Sequence, residues 1–323
     1  MAQPALPTFL MDYDLESVID YRPVVDPTGR YVIFERTILG STTCNLYILD
    51  LATSGGGPTP YVPSVDGSSR PDWSKAFDVV AFCNGDGIWL AQGAGGTDPW
   101  LLSKTADMIY PAWYPSGKNL LVMNNQPQPG TTSPTPRTSK ILDNGLIAQQ
   151  VMADGKLWGG EPSVNPVNPA QYVFAGQPIA EQSTYNEDLN YIWLVDASTN
   201  PETIRPLDQK ALKSGFNPNF QGRAPWWSPD GKWVAFESNR LAPGTEGYAI
   251  YIQDSAGASA PMQVLDIVWS GNHAKWFPSG TELVVSVLQV PGIFPPSPVL
   301  PPIEPQRGIA SLDVSAFVGN ARS

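Results

Sequence analysis

One histidine and two cysteines in 323 residues leave little for a metal held by nitrogen or sulfur. Cys44 and Cys83 are too few for a disulfide framework or a cysteine-based zinc site, and His273 alone excludes a multi-histidine centre. One bridge between neighbouring repeats, or two small buried thiols, would both fit. Charge is also scarce, at 15% of residues, and it is one-sided: 19 Lys and Arg stand against 30 Asp and Glu, a net charge of −11. Nonspecific nucleic-acid binding needs a positive field to displace counterions, so no nucleic acid is expected as a partner. No run approaches the roughly 18 apolar residues of a membrane span, so no span is expected. The opening MAQPALPTFLMDYD has neither the basic nor the apolar region of a signal peptide. There is no Gly-x-Ser-x-Gly elbow, P-loop, dinucleotide fingerprint or EF-hand spacing, and no metal or cofactor is expected.

What the chain does hold is 34 Pro, 29 Gly and 11 Trp, with hydrophobic residues at 42%. Many turn-formers and aromatics with few charges describe a loop-rich all-β protein with ample core. The length fits two ordinary domains or one large closed β-fold. Repeats decide between them. The clearest unit is APWWSPDGKWVAFESNR (224–240), followed by YAIYIQD (248–254). It reads as strand, tight turn, strand, loop, strand, with Pro fixing φ in the turn and Gly accepting φ > 0. The same grammar recurs at 21–36, 69–84, 110–125, 160–176 and 273–289. Six units at intervals of roughly 40 to 60 residues suit one four-stranded propeller blade each.

These units resemble the TolB-like propeller repeat, whose core reads P-x-W-S-P-D-G-K-x-I-A-F-x-S. Residues 225–238 match it nearly throughout and 111–123 match it well. The resemblance implies a single six-bladed β-propeller over 1–323, with blades near 20–67, 68–108, 109–158, 159–221, 222–270 and 271–318. It departs in the second blade, where Trp-Ser-Lys-Ala-Phe-Asp replaces Trp-Ser-Pro-Asp-Gly. The segment before Tyr21 is too short for the α/β domain that precedes the propeller in TolB itself. A shared fold is weak evidence for a shared activity. The resemblance also implies a periplasmic or secreted protein, since such propellers are commonly exported.

The last blade has material for three strands, so the segment 8–19 is expected to supply the fourth and close the ring, because an open edge exposes an unpaired ladder. Trp73, Trp113, Trp227 and Trp276 occupy one repeat position and read as packing between blades. Asp26 and Asp230 read as turn-formers.

Aligning the repeats on that Trp places one residue per blade just before the proline position: Arg22, Arg70, Tyr110, Glu161, Ala224 and His273, with Arg223 beside Ala224. Each is expected to start its innermost strand at the mouth of the central channel. The arginines suit bidentate pairing with carboxylate or phosphate. Glu161 and His273 are candidate acid and base, with Tyr110 as a donor, should the protein be an enzyme. The alternative is an internal network in which Glu161 neutralises an arginine and plugs the channel. Long loops at 124–140, 177–190, 239–247 and 290–307 emerge on the same face. The last carries Ile293, Phe294, Val299, Leu300 and Ile303, enough apolar surface for a lid or a partner-binding edge. Two functions follow as expectations. One is a binding propeller for a protein partner or an anionic ligand. The other is a hydrolase or lyase acting on an acidic small molecule or carbohydrate.

Overall fold

A computed structural model describes residues 3–11, 17–53, 55–126, 136–148, 153, 156–179, 185–209, 220–241, 247–289 and 307–319. After β1 (Thr8–Phe9), the first blade runs β2 (Val18–Val25), β3 (Tyr31–Ile38), β4 (Cys44–Asp50), β5 (Thr59–Pro60). The second is β6 (Ser69–Trp73), β7 (Val79–Asn84), β8 (Gly87–Gln92), β9 (Thr97–Ser103). The third shows three strands among the described residues, β10 (Met108–Trp113), β11 (Leu120–Asn124) and β12 (Arg137–Ile141). Next come β13 (Leu157–Val164), β14 (Gln171–Pro178), β15 (Tyr191–Asp196), β16 (Thr203–Pro206). The fifth blade is β17 (Gly222–Trp227), β18 (Trp233–Ser238), β19 (Ala249–Asp254), β20 (Met262–Gln263). The sixth is β21 (Trp269–Trp276), β22 (Glu282–Gln289) and β23 (Arg307–Asp313) with β1 at its edge, in the order β1-β23-β22-β21. All these ladders are antiparallel, and each blade is a meander except the sixth, whose outer strand comes from the N-terminal segment.

The turn between the first two strands explains the repeat motif. In the fifth blade the Ser228 hydroxyl accepts the Trp233 amide at 2.9 Å, Asp230 accepts the Lys232 amide at 3.1 Å, and Gly231 sits at φ +68°. Asp26 does the same work in the first blade, accepting from the amides of Thr28 (3.0 Å) and Tyr31 (2.7 Å). The second blade, which lacks the Pro-Asp-Gly, closes its turn through the Ser74 hydroxyl, which accepts from the amides of Ala76 and Phe77. Alternation along the strands then aims apolar residues at both neighbouring blades. The core accordingly divides into clusters that each join two adjacent blades; Val32, Phe34 and Leu49 of the first meet Phe277, Val284 and Ile309 of the sixth, closing the circle.

Closure by the N-terminal segment is observed, over a shorter stretch than 8–19. Thr8 and Phe9 pair with Ser311 and Ala310, whereas Val18 and Ile19 already belong to β2. Ala5 reaches one blade further, donating to the Val264 carbonyl at 2.8 Å. Cys44 and Cys83 are free thiols. No helix among the described residues is long and apolar enough to cross a membrane.

Candidate functional site

The ring residues sit inside the innermost strands, not at their starts. Register shifts fall between Tyr21 and Val24, Ser69 and Asp72, Ile109 and Ala112, Gly160 and Ser163, Arg223 and Trp226, and Asn272 and Lys275. Each is a β-bulge, and at each the ring residue takes a left-handed backbone, with φ between +46° (Ala224) and +54° (Tyr110). A bulge re-aims a side chain, here towards the channel axis. Proline follows in five of the six blades, which an edge strand with a bulge tolerates. The mouth position read from the repeats is thus corrected: the bulge holds the ring partway down the channel.

The six positions do converge. Arg22, Arg70, Tyr110, Glu161, Ala224 and His273 line one central space of about 40 Å³, room for a few waters. Arg22 donates to the Tyr110 hydroxyl at 3.0 Å across the channel, and Arg70 lies over the Tyr110 ring with its Cζ 4.7 Å from the centroid. His273 stacks on Tyr110 at 6.3 Å and meets Tyr21 edge-on at 4.8 Å. Its imidazole is buried, and that burial, with Arg22, Arg223, Lys275 and Arg70 nearby, holds its pKa well below 6.5. Among the described residues Nε2 of His273 has no hydrogen-bond partner. Burial likewise pushes the Tyr110 hydroxyl up, Glu161 adding to the effect.

Among the described residues Glu161 makes no direct ion pair with an arginine; it accepts the Ala224 amide at 2.8 Å. Arg22 and Arg223 are paired by two carboxylates that the repeat alignment missed. Glu35 accepts from Arg22 at 2.8 Å and Glu237 lies 3.1 Å from Arg223. Both stand at one position of the second strand, one residue after Phe34 and Phe236, in Phe-Glu-Arg and Phe-Glu-Ser. That signal is in the sequence: a carboxylate closing an apolar run in a second strand. Burial pushes Glu237 up to about 7 against the opposing pull of Arg223. Arg70 differs: among the described residues no carboxylate pairs with it, Nη1 donates to Ser69 Oγ at 3.2 Å, and Nε is buried without a partner.

On the long-loop side, Arg22, Arg70, Tyr110, Glu161, Tyr185 and Arg223 line a cavity of about 300 Å³. Residues 185–190 of the fourth blade's loop form part of its wall, which places the loop-bearing face where the repeats put it. Of the 290–307 loop expected as a lid or partner-binding edge, residues 290–306, with Ile293, Phe294, Val299, Leu300 and Ile303, lie outside the described residues, as do 127–135 of the 124–140 loop. The repeat tryptophans keep their scaffold role: Trp113 and Trp276 donate through Nε1 to the carbonyls of Asp72 (3.2 Å) and Trp226 (3.1 Å) in the preceding blades.

Towards the opposite face a second set of residues, two positions beyond the ring, divides the channel. Lys275 from the sixth blade reaches to the second, donating to the Pro71 carbonyl at 2.9 Å and lying 3.9 Å from Asp72. Its ammonium sits 3.9 Å from the centroid of a Trp226 ring. Burial lowers Lys275 to about 8 and raises Asp72.

No protein-family model and no curated protein sequence matches this chain. Solved structures do. A TolB from Agrobacterium tumefaciens superposes with a TM-score of 0.58 at 18% identity, over 77% of this chain and 81% of that one. TolB from Acinetobacter baumannii gives 0.56 at 16% identity over 94% of this chain, which spans 65% of that protein. Regucalcin of Agrobacterium tumefaciens, a calcium-binding protein, gives 0.54 at 15% identity over 88% and 86%. At such identities the likeness is one of fold, and this chain carries the TolB-like six-bladed β-propeller.

Proposed function

We propose that this chain is a binding propeller whose channel, entered from the loop-bearing face, takes an anionic small molecule or carbohydrate. One observation carries the reading: Arg70 is a ring arginine with no carboxylate partner among the described residues, beside a cavity of about 300 Å³. Arg22 and Arg223 have their charges met by Glu35 and Glu237, so they hold the scaffold. Arg70 keeps donors available for a carboxylate or phosphate, with Tyr110 beneath it. An acid–base role for His273 and Glu161 draws on the same ring, but a buried imidazole with so low a pKa is no proton donor near neutral pH.

A protein partner on the same face is favoured by a separate observation. Ile19, Ile38 and Leu39 of the first blade and Leu288 of the sixth are exposed at 38%, 55%, 46% and 42%. They lie at the loop-side ends of their strands, a grouping of the kind that marks docking sites. A place in the periplasm or outside the cell rests on the resemblance of the repeats to exported propellers.

Calorimetric titration with citrate and with inorganic phosphate tests the anion site. Arg70→Ala is expected to weaken binding by about tenfold or more, with Arg70→Lys in between. Undiminished binding by a folded Arg70→Ala protein would reject the site.

A further inference from the structure

The face opposite the long loops has a cavity of its own, about 260 Å³, close to the lower limit of ligand pockets. Its walls are aromatic: Trp73, Trp113, Trp226, Trp227, Trp276 and Tyr114. Prolines of the inter-strand turns, among them Pro27, Pro115 and Pro278, form its rim. Four of the tryptophans are the scaffold residues of the repeat; Trp73, Trp227 and Trp276 among them are buried, so the accessible aromatic surface is chiefly that of Trp113, Trp226 and Tyr114.

Two cations line the same space. Lys275 forms the floor, with its side chain 13% exposed, and Lys75 lies exposed at the side. An ammonium carries three N–H groups, and the described contacts of Lys275 use one, to the Pro71 carbonyl. Asp72 stands 3.9 Å away, beyond hydrogen-bonding distance, and its Oδ2 is occupied by the Trp113 amide at 2.8 Å. Asp26, also in the wall, spends its carboxylate on Thr28 and Tyr31. An aromatic-walled funnel thus ends on an under-used ammonium, and a second ammonium lines the same cavity.

We infer that this funnel is a second binding site, distinct from the Arg70 site, for a small carboxylate with an aromatic body. The carboxylate would sit between Lys275 and Lys75, and the ring would lie against the tryptophans. A neutral or cationic ligand of the same shape gains only the apolar contacts and meets a desolvated ammonium, which disfavours it.

The test uses phenylacetate and indole-3-acetate, with phenylacetamide and phenethylamine as neutral and cationic controls. Binding is followed by calorimetry and by the indole N–H signals of Trp113 and Trp276 in the 15N-labelled protein. Saturable binding of an acid is expected, with the amide weaker by about tenfold and the amine weaker still. Lys275→Met is expected to remove it, Lys75→Gln to weaken it about threefold, and Arg70→Ala to leave it unchanged. Should Lys275→Met fail to fold, the exposed Lys75 variant and the acid–amide comparison decide. Equal binding of acid and amide overturns the inference. So does no saturation by either acid at about 10 mM, or acid binding that follows Arg70 instead of Lys275.

Discussion

Glu237 of the fifth blade accepts the backbone N–H of His273 in the sixth at 3.0 Å, and Glu35 of the first accepts that of Arg70 in the second at 2.6 Å. Each carboxylate therefore does two jobs. It neutralises an arginine from its own blade and fastens the left-handed ring residue of the next. The proposed anion site and the joining of neighbouring blades share these groups, so changing a carboxylate is expected to disturb both.

Removing Glu35 leaves the Arg22 guanidinium without its countercharge and the Arg70 amide without its acceptor. Glu35→Ala is expected to cost about 3 kcal/mol or more, and Glu35→Gln less, since an amide oxygen still accepts. Urea unfolding measures it; a loss under about 1 kcal/mol would mean that water replaces the carboxylate at little cost.

Glu237 titrates near 7 in the folded protein against an ordinary 4.5. The folded state then binds more protons than the unfolded chain in that interval, so this group's stabilisation is complete below about 4.5 and fades as pH rises through 7. Arg223, Arg22, Glu161 and the His273 amide are the groups around it. Relative to wild type, Glu237→Gln is expected to gain stability as pH rises from 5 to 7.5. Parallel stability–pH curves for the two proteins would contradict this.

Ala224 holds φ +46° without the freedom of glycine. Ala224→Gly is expected to be neutral or to stabilise by up to about 1 kcal/mol, the relieved strain offsetting the added chain entropy. Ala224→Val is expected to lose roughly 2 kcal/mol, because a β-branched residue resists that conformation. Melting temperatures of the two variants, moving in opposite directions or only for valine, check the assignment.

Deleting residues 1–11 isolates ring closure, because it spares β2. It removes the β1–β23 ladder, the Ala5 link to the fifth blade and the Phe9 contact with Trp269, whose ring centroids are 5.7 Å apart. A fall in melting temperature of roughly 5 °C or more is expected. An unchanged value would assign the pairing no role in stability.

Blade number, turn chemistry and the convergence of Arg22, Arg70, Tyr110, Glu161, Ala224 and His273 were legible because they recur, and recurrence aligns positions without knowing their geometry. The bulge was not. A bulge adds one residue to one strand, and the proline that marks it also suits a strand start. Glu35 and Glu237 escaped because only two of six blades carry a carboxylate there, and a charge at a strand end reads as solvent-facing. Lys275 and Asp72 hid in the variable place just before the repeat tryptophan. Which partners they find depends on side chains that cross an axis, and a linear repeat holds no record of that.

The pairing of Thr8 with Ser311 joins residues about 300 positions apart, among the longest-range contacts a chain this size can make. On a ribosome the segment made early must wait for a strand made late. Until the two meet, β23 presents a bare hydrogen-bonding edge to any other nascent chain. The final blade is therefore both the clasp of the ring and the stage of synthesis at which this protein is most exposed to misassembly.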